Sequence, residues 1–129
     1  MNKFFIAVIA CSFIFLSCKK DKAPESASIV GFWSGKYGSS TDYPTAGYAA
    51  LFRANGTVRF FNSTDTVAAT KAEGTYTISG SAVTASYTYS VGDSYSVSAI
   101  VDSKFTFLEG SWGSGANTTN GGKWFMAKK

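Results

Sequence analysis

The amino-acid sequence predicts an all-β chain whose eight short strands close into an antiparallel up-and-down barrel. Three observations carry this. From Ile29 onward, short runs of alternating apolar and polar residues recur between Gly, Ser, Asn and Asp turn signals. No part of that region has a helical period of useful length. Beyond the first seventeen residues, aromatics are seventeen of 112 positions and Gly, Ser and Thr supply much of the rest, a composition that suits strands.

The strands are expected in order as follows. The first is Ile29 to Tyr37, followed by a loop from Gly38 to Ala46. The second, Gly47 to Ala54, turns at Asn55-Gly56 into the third, Thr57 to Asn62. Asn-Gly between apolar runs is the strongest short hairpin signal, because both turn residues need positive φ. After a polar loop, Ser63 to Thr70, the fourth strand spans Lys71 to Ser79, with Gly74, Tyr76 and Ile78 on one face. Ser79-Gly80 turns it into the fifth, Ser81 to Ser90, with Val83, Ala85, Tyr87 and Tyr89 on one face. Gly92-Asp93 leads to the sixth, where Tyr95, Val97, Ala99 and Val101 oppose serines. The seventh, Lys104 to about Trp112, has Phe105 and Phe107 facing one way and Leu108 and Trp112 the other, the pattern of a bulge. A loop from Gly113 to Gly121 precedes the eighth strand, Gly122 to Lys128. One apolar face per strand fits antiparallel pairing, and short connections make sequence neighbours spatial neighbours. A meander of eight closes into a barrel and removes both edges. The alternative is a two-sheet sandwich, which usually needs longer crossovers.

The residues before the barrel are an export segment. Asn2-Lys3 is a short positive start, and Phe4 to Leu16 is apolar except for Ser12. That run has the length of a signal-peptide core and is short for a bilayer span. It ends in Phe15-Leu16-Ser17-Cys18, which resembles the bacterial lipobox. The resemblance implies that residues 1–17 are a cleaved signal peptide, that Cys18 is lipidated, and that its acyl chains anchor the protein in a membrane. Two or more chains give stable anchoring where one is marginal. Cys18-Lys19-Lys20-Asp21 is similar to the start of many Bacteroidetes lipoproteins, which implies an outer-membrane location on either the periplasmic or the surface face. Residues 18–28 are polar, contain Pro24 and form a flexible tether, holding the domain of residues 29–129 roughly 15–20 Å from the anchor on random-coil scaling.

Composition excludes several function classes. After cleavage the chain has eleven basic and eight acidic residues, and no Lys/Arg cluster of the kind that marks a nucleic-acid footprint. There is no histidine, which removes the commonest general base and metal ligand. Cys11 leaves with the signal and Cys18 is consumed by lipid, so neither disulfide nor free thiol is expected in the domain. Asp42, Asp65, Asp93 and Asp102 fall at turns or loops, where Asp serves turn chemistry. Glu73 and Glu109 lie on different strands with no pairing by spacing. No catalytic residue, metal site or cofactor is therefore assigned. Asp65-Thr66-Val67 resembles the O-glycosylation sequon of Bacteroidetes envelope proteins, which makes Thr66 a modification candidate.

Each of the three tryptophans has glycine two residues before it, in Gly31-Phe32-Trp33, Gly110-Ser111-Trp112 and Gly122-Lys123-Trp124. Independent placement gives this roughly once in a thousand, and glycine is disfavoured within strands. Residues i and i+2 share a strand face, so glycine there leaves room for a neighbouring indole or for close backbone approach. The first of these, at a first strand, resembles the G-x-W signature of lipocalins, and avidins begin similarly. The stretches Leu51–Val58 and Gly74–Thr84 resemble the hairpins of lipocalin-like domains in Bacteroidetes lipoproteins. The family implies an eight-stranded barrel, plugged at one end and open at the other to a hydrophobic ligand. A typical lipocalin is longer and has a C-terminal helix, for which no helix-period segment is found here. The polar residues with which avidins hold biotin are not found in recognisable order.

Two functions follow from this reading. In the first, the barrel binds a small apolar or aromatic ligand, lined by Trp33, Tyr48, Phe52, Phe60, Tyr76, Tyr87, Tyr95 and Trp112 and by the loops Gly38–Ala46, Ser63–Thr70 and Gly113–Gly121. In the second, those rings fill a solid core, and the barrel is a structural or protein-interaction module of the envelope, with enzyme inhibition among its uses.

Overall fold

The computed structural model describes residues 27–129. The signal segment, Cys18 and the tether up to residue 26 lie outside the described residues. Eight strands form: β1 Gly31–Tyr37, β2 Ala46–Phe52, β3 Thr57–Phe61, β4 Lys71–Ser79, β5 Ala82–Tyr89, β6 Ser94–Val101, β7 Phe107–Ser114 and β8 Gly122–Lys128. Each pairs antiparallel with the next, and β1 pairs with β8, so the sheet is a closed up-and-down barrel. Closure disposes of the sandwich alternative.

The barrel interior is the apolar face that the alternation foretold. Trp33, Tyr48, Ala50, Phe52, Val58, Phe60, Val83, Val97, Leu108, Trp124 and Met126 are buried in one core. A smaller cluster lies outside the wall, where the β3–β4 loop lays Ala69 over Ala49 and Phe61, flanked by Phe32 and Leu51.

The seventh strand differs from expectation. It starts at Phe107, because Asp102 draws the chain into a turn. The Asp102 carboxylate accepts hydrogen bonds from the backbone N–H of Thr106 at 2.6 Å and of Phe107 at 2.9 Å. The Thr106 hydroxyl bond, followed by those two amide bonds, holds the Asp102 carboxyl below its ordinary range. Phe105 therefore sits in the turn at φ 55° and not in the strand. The expected bulge is absent, since the pairing of β7 with β6 runs unbroken from Tyr95↔Ser114 to Val101↔Leu108. Once Phe105 is removed from the strand, Leu108, Gly110 and Trp112 share the inner face in ordinary alternation.

The Gly-x-Trp repeats have a structural basis. On β7 and β8 two of them pair reciprocally, Gly110 opposite Trp124 and Trp112 opposite Gly122. Each indole thus lies beside a position with no side chain. A methyl group on Gly110 would lie 1.9 Å from the Ser98 carbonyl oxygen, so β6 and β7 approach there as only glycine allows. Every indole N–H donates to a backbone carbonyl: Trp33 to Ile29 at 2.7 Å, Trp112 to Gly38 at 2.9 Å and Trp124 to Ser111 at 2.9 Å.

The two ends of the barrel differ. The chain enters at one end, where Ile29 is buried in the core, Trp33 hydrogen-bonds to it, and Lys128 Nζ lies 5.8 Å from the Trp33 ring. This end is plugged. The β1–β2, β3–β4, β5–β6 and β7–β8 connections gather at the other end, as an up-and-down order requires.

Candidate functional site: an aromatic cup at the open end

The open end holds a cavity of about 260 Å³, lined by Tyr37, Tyr48, Tyr87, Tyr89, Tyr95 and Trp112, with Asn62, Thr70, Val91 and Asp93 toward the loops. Its aromatic members come from strand ends. Tyr37 and Trp112 lie late in β1 and β7, Tyr87 and Tyr89 end β5, and Tyr48 and Tyr95 lie early in β2 and β6. In an antiparallel meander the ends of odd strands and the starts of even strands meet at one rim, so these inward positions converge.

The six rings form a closed circuit. Tyr48 meets Tyr37 at 5.4 Å between centroids, Tyr37 meets Trp112 at 6.0 Å, and Trp112 meets Tyr95 at 5.7 Å. Tyr95 meets Tyr89 at 5.8 Å, and Tyr89 meets Tyr87 at 5.9 Å. All five contacts are edge-to-face, the arrangement that aligns a ring's positive edge with its neighbour's negative face. A hydrogen bond between the Tyr48 and Tyr87 hydroxyls completes the circuit. Beneath that pair, Phe60 stacks on Tyr87 at 4.0 Å and on Tyr48 at 5.4 Å and forms the floor.

The eight residues expected to line a ligand divide between the two halves of the barrel. Tyr48, Tyr87, Tyr95 and Trp112 line the cup, and Phe60 underlies it. Trp33 and Phe52 pack edge-to-face at 6.3 Å in the filled half. Tyr76 packs on Phe52 at 5.0 Å and donates its hydroxyl to the Arg53 carbonyl at 2.7 Å, beside the β2–β3 turn. Of the three expected loops, Ser63–Thr70 contributes Thr70, whereas Gly38–Ala46 and Gly113–Gly121 contribute no lining residue, and the expectation omitted Tyr37, Tyr89, Asn62, Val91 and Asp93. For Tyr37 and Tyr89 the available signal was their position at odd-strand ends facing one rim; the other three lie in the connections at that rim.

Burial raises the phenol pKa of Tyr48 well above its ordinary value, and the neighbouring Tyr87 adds to the effect. Burial also raises Tyr87, although the hydrogen bond from Tyr48 opposes it. Burial, helped by Tyr37 and Tyr95, pushes Tyr89 up to about 12. Every cup phenol so shifted is neutral at physiological pH and a poor general base. A pH dependence follows. Below pH about 10 these phenols are protonated in both folded and unfolded chains. Above it the unfolded chain loses protons that the barrel retains, so stability falls as pH rises. The urea midpoint is expected to hold steady up to pH about 10 and to fall between there and about 12, with tyrosinate absorbance growing in step with unfolding.

Among the described residues the carboxylates lie apart from one another. Glu73, on the outer face of β4, is paired with Arg59 and with Arg53 at 3.1 Å. Glu109 lies on the outer face of β7, with two strands between. Asp65 accepts from the N–H of Val67 at 3.1 Å and of Ala68 at 3.3 Å, which places half-buried Thr66 inside a capped turn. Among the described residues, no three His, Cys, Asp or Glu side chains converge. No family, curated protein or solved structure with which the chain was compared matches it.

Proposed function

We propose that this protein is an exported lipoprotein, anchored through lipid on Cys18 to the outer membrane, whose barrel binds one small aromatic ligand in the cup. The closed circuit of six aromatic rings around an open cavity carries this reading. A cavity of 150 Å³ holds benzene, so 260 Å³ suits a one- or two-ring ligand of about ten heavy atoms. A long acyl chain would not fit, because the half of the barrel below Phe60 is occupied by Trp33, Phe52 and Leu108. Binding is favoured over catalysis: the lining combines aromatic rings with hydroxyls, amide and a single carboxylate, without an activated nucleophile.

The anchor reading fits the same geometry. Residues 27–30 enter at the plugged end, opposite the cup. Native mass spectrometry of protein extracted from its host membrane tests both parts. The expected result is a chain beginning at Cys18 with acyl mass on it and one small aromatic molecule bound. A chain retaining residues 1–17 would defeat the anchor reading, and a ligand-free domain bound stoichiometrically to another protein would favour an interaction module.

A further inference from the structure

The charge pattern of the cup narrows the class of ligand. Its ten lining residues include one acid, Asp93, and no Lys or Arg. Both ion pairs among the described residues use Glu73, which leaves Asp93 without a basic partner there. Six aromatic rings surround the space, and the negative faces of such rings attract cations, most strongly where water is excluded. Among the described residues only Tyr48, Tyr76 and Tyr87 spend their hydroxyls in hydrogen bonds, so the oxygens of Tyr37, Tyr89 and Tyr95 remain available to a ligand.

We infer that the cup is an aromatic cage for a small organic cation, an alkylated or quaternary ammonium bearing at most one or two rings. The inference rests on the cup being a ligand site and specifies the ligand's charge. The rings supply cation–π attraction around the cationic group, and Asp93 at the rim supplies its counter-charge. A carboxylate or phosphate ligand would meet aromatic rings and Asp93 with no Lys or Arg to offset its charge.

The test uses the full chain in detergent and three probes: benzyltrimethylammonium, its uncharged carbon isostere neopentylbenzene, and phenylacetate. Binding is followed by tryptophan fluorescence against detergent blanks, since Trp112 lines the cup. The ammonium is expected to bind about tenfold tighter than the isostere, which corresponds to about 1.4 kcal/mol. Phenylacetate is expected to bind weakest. Asp93→Asn is expected to weaken the ammonium about twofold to fivefold and to leave the isostere unchanged. Equal affinity for ammonium and isostere would overturn the cation assignment while keeping the cup as an aromatic site. Binding of none of the three would overturn both.

Discussion

Trp33→Ala is expected to bring the barrel close to unfolding. Trp33 is fully buried at the plugged end, packs on Phe52 at 6.3 Å, and donates its indole N–H to Ile29 at 2.7 Å. Truncation would leave a cavity lined by Phe52 and Lys128, and the Ile29 carbonyl would lose its partner. Large-to-small changes of this kind cost about 3–5 kcal/mol, against a total stability of about 5–15 kcal/mol for a typical domain. A fall of about 15–30 °C in Tm is expected for a domain near 100 residues. Trp33→Phe keeps most of the apolar volume and should fall between the two. Trp112→Ala is the informative contrast. Trp112 is only partly buried and faces the cup, so its loss should cost less stability and more binding. Equal destabilisation by the two alanine variants, in urea midpoints, would contradict the division into a plugged half and an open half.

Gly110→Ala is expected to destabilise by roughly 3 kcal/mol or more, although replacing glycine within a strand ordinarily helps. The backbone at Gly110 is ordinary strand, so conformational freedom is not the reason. The reason is space. The added methyl would lie 1.9 Å from the Ser98 oxygen and 2.7 Å from the Ala99 Cα, and backbone on a paired strand cannot step aside cheaply. Gly35 and Gly74 repeat this geometry against the Phe125 and Ser86 oxygens, each at 1.9 Å. At these three glycines the neighbouring strand's backbone occupies the space that a side chain would need. Gly80→Ala separates space from conformation. Gly80 has φ 60° with nothing near a methyl, so only a left-handed backbone penalty of about 1–2 kcal/mol is expected there. A Gly110→Ala variant as stable as the parent would contradict this account of closure.

Much of this fold was legible in the sequence, for identifiable reasons. Strand alternation has a period of two, and turn residues mark each reversal, so the number and order of the strands were readable. Pairing of β1 with β8 depends on contacts between residues nearly a hundred positions apart, and local pattern made it an inference from the meander alone. The seventh strand was misread because Phe105 looks like a strand residue by type. The competing influence was the Asp102 side chain, which takes three donors from the following residues. The Gly-x-Trp motif was readable as a packing device, while the reciprocal register of Gly110 with Trp124 was not.

The site was only half legible. Inward-facing aromatics could be identified by alternation, but their height along the barrel decides whether each fills the core or lines the cup. Tyr76 and Tyr87 look equivalent in sequence. One lies beside the β2–β3 turn and hydrogen-bonds to Arg53, and the other faces the cavity. The rule that separates them is geometric: odd-strand ends and even-strand starts share a rim. By that rule Tyr37 and Tyr89 belong with Tyr48 and Tyr95, and Trp33 and Phe52 do not. The rings at the plugged end pack in the core, and those at the open end line a cavity.

The distribution of the seven tyrosines permits a direct test of the cup as a ligand site. Five of them, Tyr37, Tyr48, Tyr87, Tyr89 and Tyr95, line it. Tyr43 stands exposed on the outer wall against Phe125, and Tyr76 is hydrogen-bonded beside the β2–β3 turn. Full-length protein labelled with 3-fluorotyrosine can be titrated with indole and with benzyltrimethylammonium while fluorine NMR follows each assigned tyrosine. The account predicts saturable shifts of the five cup resonances with at least one probe, and still positions for Tyr43 and Tyr76. Unmoved cup resonances with both probes, or shifts led by Tyr43, would contradict it.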